Sequence, residues 1–188
     1  MPTHIALLRG INVGGRNRLA MADLRRVAAS LGHTEVATYI QSGNLVFTPA
    51  GSAGGTEAAL AAELEYAIAT ELGVSPRVIV RTREELAQVV RDNPYPDEPN
   101  PKAVHAVFLE GKIGPEVTAA VEQAQQKAAA KGSRDTATLV GRTLYLHTPD
   151  GFGRSELAAA LAGQAELGEV TGTARNWATV NKLLAMCG

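Results

Sequence analysis

Cysteine occurs once in the 188 residues, at Cys187, so neither an internal disulfide nor a cysteine-based zinc site is available. Its place next to the end of the sequence predicts a frayed terminus around it. Aromatic residues make up only 4% of the chain. The first and third strands carry Ala6, Leu7 and Leu8 and Leu45, Val46 and Phe47 where an RRM-type sheet would need paired aromatics to stack RNA bases. No apolar run approaches the roughly 20 residues that span a bilayer, and no basic start with a long apolar core opens the chain. The expectation is a cytoplasmic protein with no membrane partner.

Charge of one sign is also lacking. A formal net charge of −1 and a pI near 6.4 give no global field to hold a polyanion, which makes nucleic acid a weak candidate partner that would need a local basic patch. His4, His33, His105 and His147 share no metal-ligand spacing, and no serine sits in a nucleophile elbow with a histidine partner. Neither a metal nor a cofactor is expected.

What the chain has is 45% hydrophobic content, enough for one ordinary domain or two small ones, and an internal echo. "LGHTEVAT" (31–38) faces "KGSRDTAT" (131–138), "FTPAG" (47–51) faces "HTPDG" (147–151), and "ALL" (6–8) matches "AVF" (106–108), all at one separation. Period-2 and period-3.6 patterns then give both halves one order of elements. The first half reads strand 4–8, helix 20–31 with Met21, Leu24, Val27 and Leu31 on one face, and a hairpin of 36–41 and 45–48 around Ser42 and Gly43. Helix 57–72, strand 77–81 and helix 83–91 complete it. The second half reads strand 105–109, helix 115–130, hairpin 136–147, helix 155–162, strand 171–175 and helix 176–186. The expected class is α+β: two ferredoxin-like β-α-β-β-α-β units in tandem, each with an antiparallel sheet and an added helix. Expected boundaries are 1–92 for the first unit, a stiff four-proline connector over 93–101, and 102–188 for the second.

In this topology the chain reverses direction at each element, so the loop 9–19, the turn 41–44 and the connection 73–76 share one end. That gathers Arg9, Asn12, Gly14, Gly15, Arg16, Asn17, Arg18, Gln41, Ser42 and Asn44 on one rim. The corresponding loop of the second half, "LEGKIGPEV", has no arginine, so a purely structural loop does not account for the first one. In the second half the same alternation brings Asp150, Arg154, Ser155, Arg175, Asn176 and Trp177 to a second candidate rim. Trp177, opening a helix, reads as a core or capping aromatic before a base-stacking platform.

The blocks "LLRGINVGG", "YIQSGNLVF", "NPYP", "YLHTPDGFGRSEL" and "ARNWATVNKLL" resemble, in order and over nearly the whole chain, a bacterial family catalogued as domain of unknown function sixteen-ninety-seven. The resemblance implies a small cytoplasmic protein of duplicated α/β plaits with no assigned activity, and so no catalytic residue to carry over. Arg16 stands where the resemblance leads one to expect lysine, and "GSAGG" (51–55) reads as a spacer.

"GINVGGRN" (10–17) mimics a P-loop but fails its chemistry: Asn17 replaces the magnesium-binding hydroxyl, and the helix begins well after Arg16. The useful physics survives, because glycine amides approach an oxyanion closely and arginine offers a planar fork. Against this stands a solvated loop whose glycines merely supply positive φ. The leading expectation is a binding module for an anionic, phosphate-bearing small molecule or nucleotide. An enzyme that uses the rim to position an anionic substrate and a protein-interaction module remain as alternatives. An enzyme would need an acid or base near the rim, and the sequence offers Asp23 and little else there.

Overall fold

The computed structural model describes residues 1–51, 55–162 and 167–188; the spacer expected over 51–55 therefore falls largely outside the described residues. Elements run β1 (His4–Arg9), α1 (Met21–Ser30), β2 (Thr34–Tyr39), β3 (Asn44–Thr48), α2 (Glu57–Leu72), β4 (Arg77–Thr82) and α3 (Arg83–Arg91). The order then repeats with β5 (Val104–Glu110), α4 (Pro115–Ala130), β6 (Thr136–Val140), β7 (Thr143–His147), a short 3-10 turn (Phe152–Arg154), α5 (Glu156–Ala162), β8 (Thr171–Asn176) and α6 (Trp177–Met186). The fold is mixed α+β, with two four-stranded sheets ordered β2-β3-β1-β4 and β6-β7-β5-β8, every pairing antiparallel, and six α-helices among the described residues.

Each helix forms where apolar residues recur at three- and four-residue steps. Met21, Leu24, Val27 and Ala28 of α1 and Leu60, Leu64, Ala67 and Ile68 of α2 are buried against Ala6, Leu8, Leu45, Phe47, Val78 and Val80 of the sheet. The Thr56 hydroxyl caps α2 by accepting the Ala59 N–H at 3.2 Å, and Gly73 ends it at φ 67°. In the second half Val117, Val121, Ala124 and Ala128 of α4 and Leu157, Ala158 and Leu161 of α5 pack on Val107, Leu109, Leu144 and Leu146.

The repeat keeps the separation of 100 at the helix ends, where the Gly32 and Gly132 N–H groups bond Ala29 O and Ala129 O, but not in the strands. Ile5 pairs with Arg81 and Ala106 with Arg175, which makes Leu8 the counterpart of Leu109, a separation of 101. Thr38 pairs with Leu45 and Leu139 with Leu144, so Leu45 corresponds to Leu144, a separation of 99. The difference is two extra residues in the first hairpin: residues 40–43 join β2 to β3, whereas Gly141 and Arg142 alone join β6 to β7. A one-residue offset exchanges the faces of a strand, so the matched letters occupy opposite faces while the core alternation is preserved.

The chain divides into two compact units, Met1–Gln88 with Lys182–Gly188, and Val89–Asn181. The division falls within α3, after Gln88 and not at 92, and long-range contacts set two further differences from the expected boundaries. The Pro-rich stretch is part of the second unit: the Tyr95 hydroxyl meets the hydroxyls of Thr136 at 3.0 Å and Thr138 at 3.2 Å, and its ring stacks on His147 at 5.0 Å. The Glu98 carboxylate bonds His147 Nε2 at 2.6 Å. The last residues belong to the first unit, where the Arg83 guanidinium donates to the Cys187 and Gly188 carbonyls. Cys187 is accordingly fully buried, not frayed, and its backbone N–H bonds Leu184 O at 3.0 Å; burial pushes its thiol pKa up.

No helix among the described residues is long and apolar enough to cross a membrane. Because Leu64 is fully buried in the first core, Leu64→Ala is expected to lower unfolding free energy by about 2–5 kcal/mol. Urea denaturation checks this, and a loss below about 1 kcal/mol would contradict the packing.

Candidate functional site

The loop after β1 is a miniature hairpin. Gly14 and Gly15, both at positive φ (57° and 75°), form a two-residue turn closed by the Arg16 N–H on Val13 O at 3.0 Å, with the Asn12 N–H on Asn17 O at 3.1 Å behind it. Two positive φ values at the centre suit a type I′ turn, which glycine pairs adopt without a Cβ penalty. Two asparagines clamp this hairpin, themselves at φ 54° and 50°, a region asparagine tolerates better than most side chains. Asn12 Nδ2 donates to Leu19 O at 2.9 Å and Gln41 O at 2.8 Å, while its Oδ1 accepts the Leu19 N–H at 2.9 Å. Asn17 Nδ2 donates to Gly10 O at 2.9 Å. The Asn12 carboxamide is thus spent on the scaffold, as is the Nδ2 of Asn17, while Asn44 is fully buried and donates to Tyr39 O at 2.9 Å and the Ser42 hydroxyl at 3.0 Å.

The first rim does assemble. The Leu8 N–H of β1 bonds Gly43 O at 2.9 Å, Asn12 Nδ2 on Gln41 O ties the loop to the turn, and Arg9 lies opposite Arg77 in the β1-β4 ladder, which brings the α2-β4 connection to the same end. Gly43 sits at φ 82°, and a Cβ there would fall 2.7 Å from Ile11 Cδ1 and 2.8 Å from Leu8 Cβ. Asn12, Gly15, Arg18, Leu19, Ala20 and Gln41 surround an open cavity of about 420 Å³. Arg16 and Arg18 are exposed and, among the described residues, carry no ion pair. Arg9, Gly14, Arg16, Asn17, Ser42 and Asn44 are not part of the cavity wall.

Helix α1 supplies a feature that the sequence reading passed over. Ala20 occupies its N-cap position and offers no side-chain hydrogen bond, so the first backbone N–H groups of the helix have no capping side chain beside a cavity that Ala20 itself lines. The signal was legible in "RLAMADL", which has no Ser, Thr, Asn or Asp where a cap would stand. Asp23 of the first turn is 3.6 Å from Arg26.

The second rim is only partly a rim. Ser155 and Asn176 are helix caps: their side-chain oxygens accept the Ala158 N–H and the Thr179 N–H, each at 2.9 Å. Arg175 is buried, bonding Thr173 Oγ1 and Ala174 O at 2.8 Å, and burial pushes its pKa down to about 10. Trp177 packs near Tyr145, ring centroids 6.3 Å apart. Asp150 is held by the Arg134 guanidinium, Nε to Oδ2 at 3.0 Å, which keeps its carboxyl below the usual range. Asp150, Arg154 and Ser155 border one shallow cavity, and Asp150 and Asn176 border another. Among the described residues no group of three or more His, Cys, Asp or Glu is placed to hold a metal ion.

The model of the family described as "Protein of unknown function (DUF1697)" matches residues 1–145. The chain belongs to that family. The match includes the loop and the first hairpin, ends inside β7, and stops short of α5, β8 and α6. No curated protein matches the chain. Among solved structures, a conserved bacterial protein from Streptococcus pneumoniae is 21% identical with a TM-score of 0.70, covering 100% of this chain and 99% of that one; this likeness carries the fold and nothing finer.

Two outcomes test this geometry. Gly43→Ala, which combines a positive φ with contacts under 3 Å to Leu8 and Ile11, is expected to cost more than about 1 kcal/mol in thermal or urea unfolding, and a neutral effect would contradict the close approach. The second concerns His105, whose pKa burial lowers from 6.5 to about 4. The folded chain then binds fewer protons than the unfolded one across that window, so the contribution of the neutral imidazole is fully present above pH 6.5 and lost as pH falls toward 4. Stability of the native chain should decline more steeply over that window than that of His105→Gln; parallel pH curves would refute it.

Proposed function

We propose that the first unit binds a small anionic, phosphate-bearing molecule in the cavity between the Arg/Gly-rich loop and the start of α1. The carrying observation is that Arg18 and the uncapped N-terminus of α1 border the same cavity. A guanidinium brings a planar pair of donors, and a helix N-terminus brings backbone N–H groups with a positive end of the dipole. Gln41 and Gly15 complete the wall, and the exposed Arg16 adds a second positive charge nearby. A loop already clamped by Asn12 and Asn17 loses little freedom when a ligand arrives. The cavity's size falls in the range that small ligands occupy, and a chain with net charge −1 favours such a ligand over a polynucleotide. The same reading takes both β-α-β-β-α-β units as ferredoxin-like plaits, supported by the strand orders β2-β3-β1-β4 and β6-β7-β5-β8.

A melting scan against phosphate, pyrophosphate and nucleotides tests the proposal. One class should raise stability by about 2.7 kcal/mol at one hundred times its dissociation constant, less so with added salt. Arg18→Ala should remove most of the response and Arg16→Ala a smaller part, both leaving the unliganded protein within about 0.5 kcal/mol. Ala20→Ser should stabilise the free protein by about 1 kcal/mol, because the hydroxyl caps α1, and should weaken the anion by competing for the same N–H groups. No response to any anion, or an unchanged response in Arg18→Ala, would overturn the proposal.

A further inference from the structure

The second unit contains a cavity of about 460 Å³ whose wall combines two aromatic side chains with hydrogen-bond donors. The aromatic part is His105 of β5 stacked on Phe152, ring centroids 3.9 Å apart and planes 25° from parallel. Lys102, Asn100, Asn176 and Asp150 supply the polar part. The two asparagines are already oriented from behind. Asn100 Oδ1 accepts the Lys102 N–H at 3.1 Å and Asn176 Oδ1 accepts the Thr179 N–H at 2.9 Å, so each carboxamide leaves its NH2 group to act as a donor. The Lys102 side chain is exposed and has no ion pair among the described residues, whereas the Asp150 carboxylate is matched by Arg134. His105 Nδ1 is buried without a hydrogen-bond partner, the kind of exception that native interiors rarely keep without a reason.

The first unit provides an internal comparison. His4 holds the register of His105, since His4 pairs with Phe47 and Thr82, and His105 with Leu146 and Asn176. There Thr3 satisfies the histidine, its hydroxyl lying 2.9 Å from His4 Nδ1, and Glu84 and Glu85 place negative charge near the ring. Val104, Ala178 and Thr179 stand at those three places in the second unit, which removes the internal hydrogen bond and both carboxylates.

We infer that this cavity is a second binding site, independent of the loop of the first unit, and that it takes a small planar carboxylate: a flat ring against the His105–Phe152 wall and a carboxylate on Lys102 and the two asparagine NH2 groups. Aromatic faces prefer flat partners, and a charge-assisted bond from lysine distinguishes a carboxylate from its neutral amide.

Proton–nitrogen NMR of the full chain, titrated with benzoate, benzamide and cyclohexanecarboxylate, decides the matter. Benzoate should shift the Asn176 side-chain NH2 and the His105 ring signals in a saturable way, and each of the other two probes should bind about tenfold more weakly or worse. Lys102→Gln should weaken benzoate about tenfold, Lys102→Arg should retain most of the binding, and Lys112→Gln, an exposed charge outside the cavity, should change nothing. Both lysine variants lie on the surface, and an unchanged melting midpoint shows that they fold. No saturable shift with benzoate, equal binding of benzamide, or full binding by Lys102→Gln would each overturn the inference.

Discussion

Ile5, Ala6, Leu7 and Leu8 are each no more than 1% exposed, so β1 has no face on which a polar side chain could sit, and its polar ends, His4 and Arg9, mark the only register that keeps charge out of the interior. The same constraint holds for β5, where Ala106, Val107, Phe108 and Leu109 are fully buried between His105 and Glu110. A central strand buried on both faces reads as a continuous apolar run, and pairing on both edges leaves it no freedom to slip. Everything at the ends of the sheets is placed by that immobility. The loop after β1 starts from a fixed Arg9, and the turn after β2 is held to Leu8 by backbone hydrogen bonding, Leu8 N–H on Gly43 O.

On this frame the two units diverge where packing no longer dictates. Two added residues in the first hairpin bring Gly43 against Leu8 and Ile11 and allow Gln41 O to receive Asn12 Nδ2. The two-residue turn at Gly141 and Arg142 keeps the bond to the central strand, Leu109 N–H on Arg142 O at 2.9 Å, and the second unit joins β5 to α4 with a shorter stretch that has no arginine. Conversely, the start of β5 loses the threonine that serves His4 and acquires the aromatic stack with Phe152. The duplication therefore produced two units with one core pattern and different chemistry at their ends. That is the expected outcome when folding constrains the buried faces and leaves the loops free.

Much of the first rim was legible because topology alone dictates which connections share an end of an antiparallel sheet, and loop 9–19 and turn 41–44 do meet. What each residue does there was not legible. Asn12, Asn17 and Asn44 read as candidate ligands in a string of letters, and the structure shows their carboxamides clamping the loop and turn, a role that only their neighbours reveal. Ser155 and Asn176 of the second rim turned out to cap helices for the same reason. Arg175, read as a rim residue, faces a buried environment because its alternation partner Ala174 takes the helix side.

Helix α2, helix α4 and helix α3 begin and end where periodicity, Thr56, Pro115 and Arg91 place them, because these signals are local and act through the chain's own backbone. The order of strands and the mixed α+β class followed from the same local patterns. Three features needed the tertiary structure. The true offset of the repeat depends on which strand faces which, and a two-residue insertion hides it from letter matching. The assignment of residues 93–101 to the second unit and of Cys187 to the first rests on long-range contacts, Tyr95 with Thr136 and Arg83 with Gly188, that no short window of sequence contains. The cavity beside His105 arises from three separate stretches, 100–105, 148–152 and Asn176, brought together by β pairing, and a pairing partner is a property of the folded sheet and not of either strand alone.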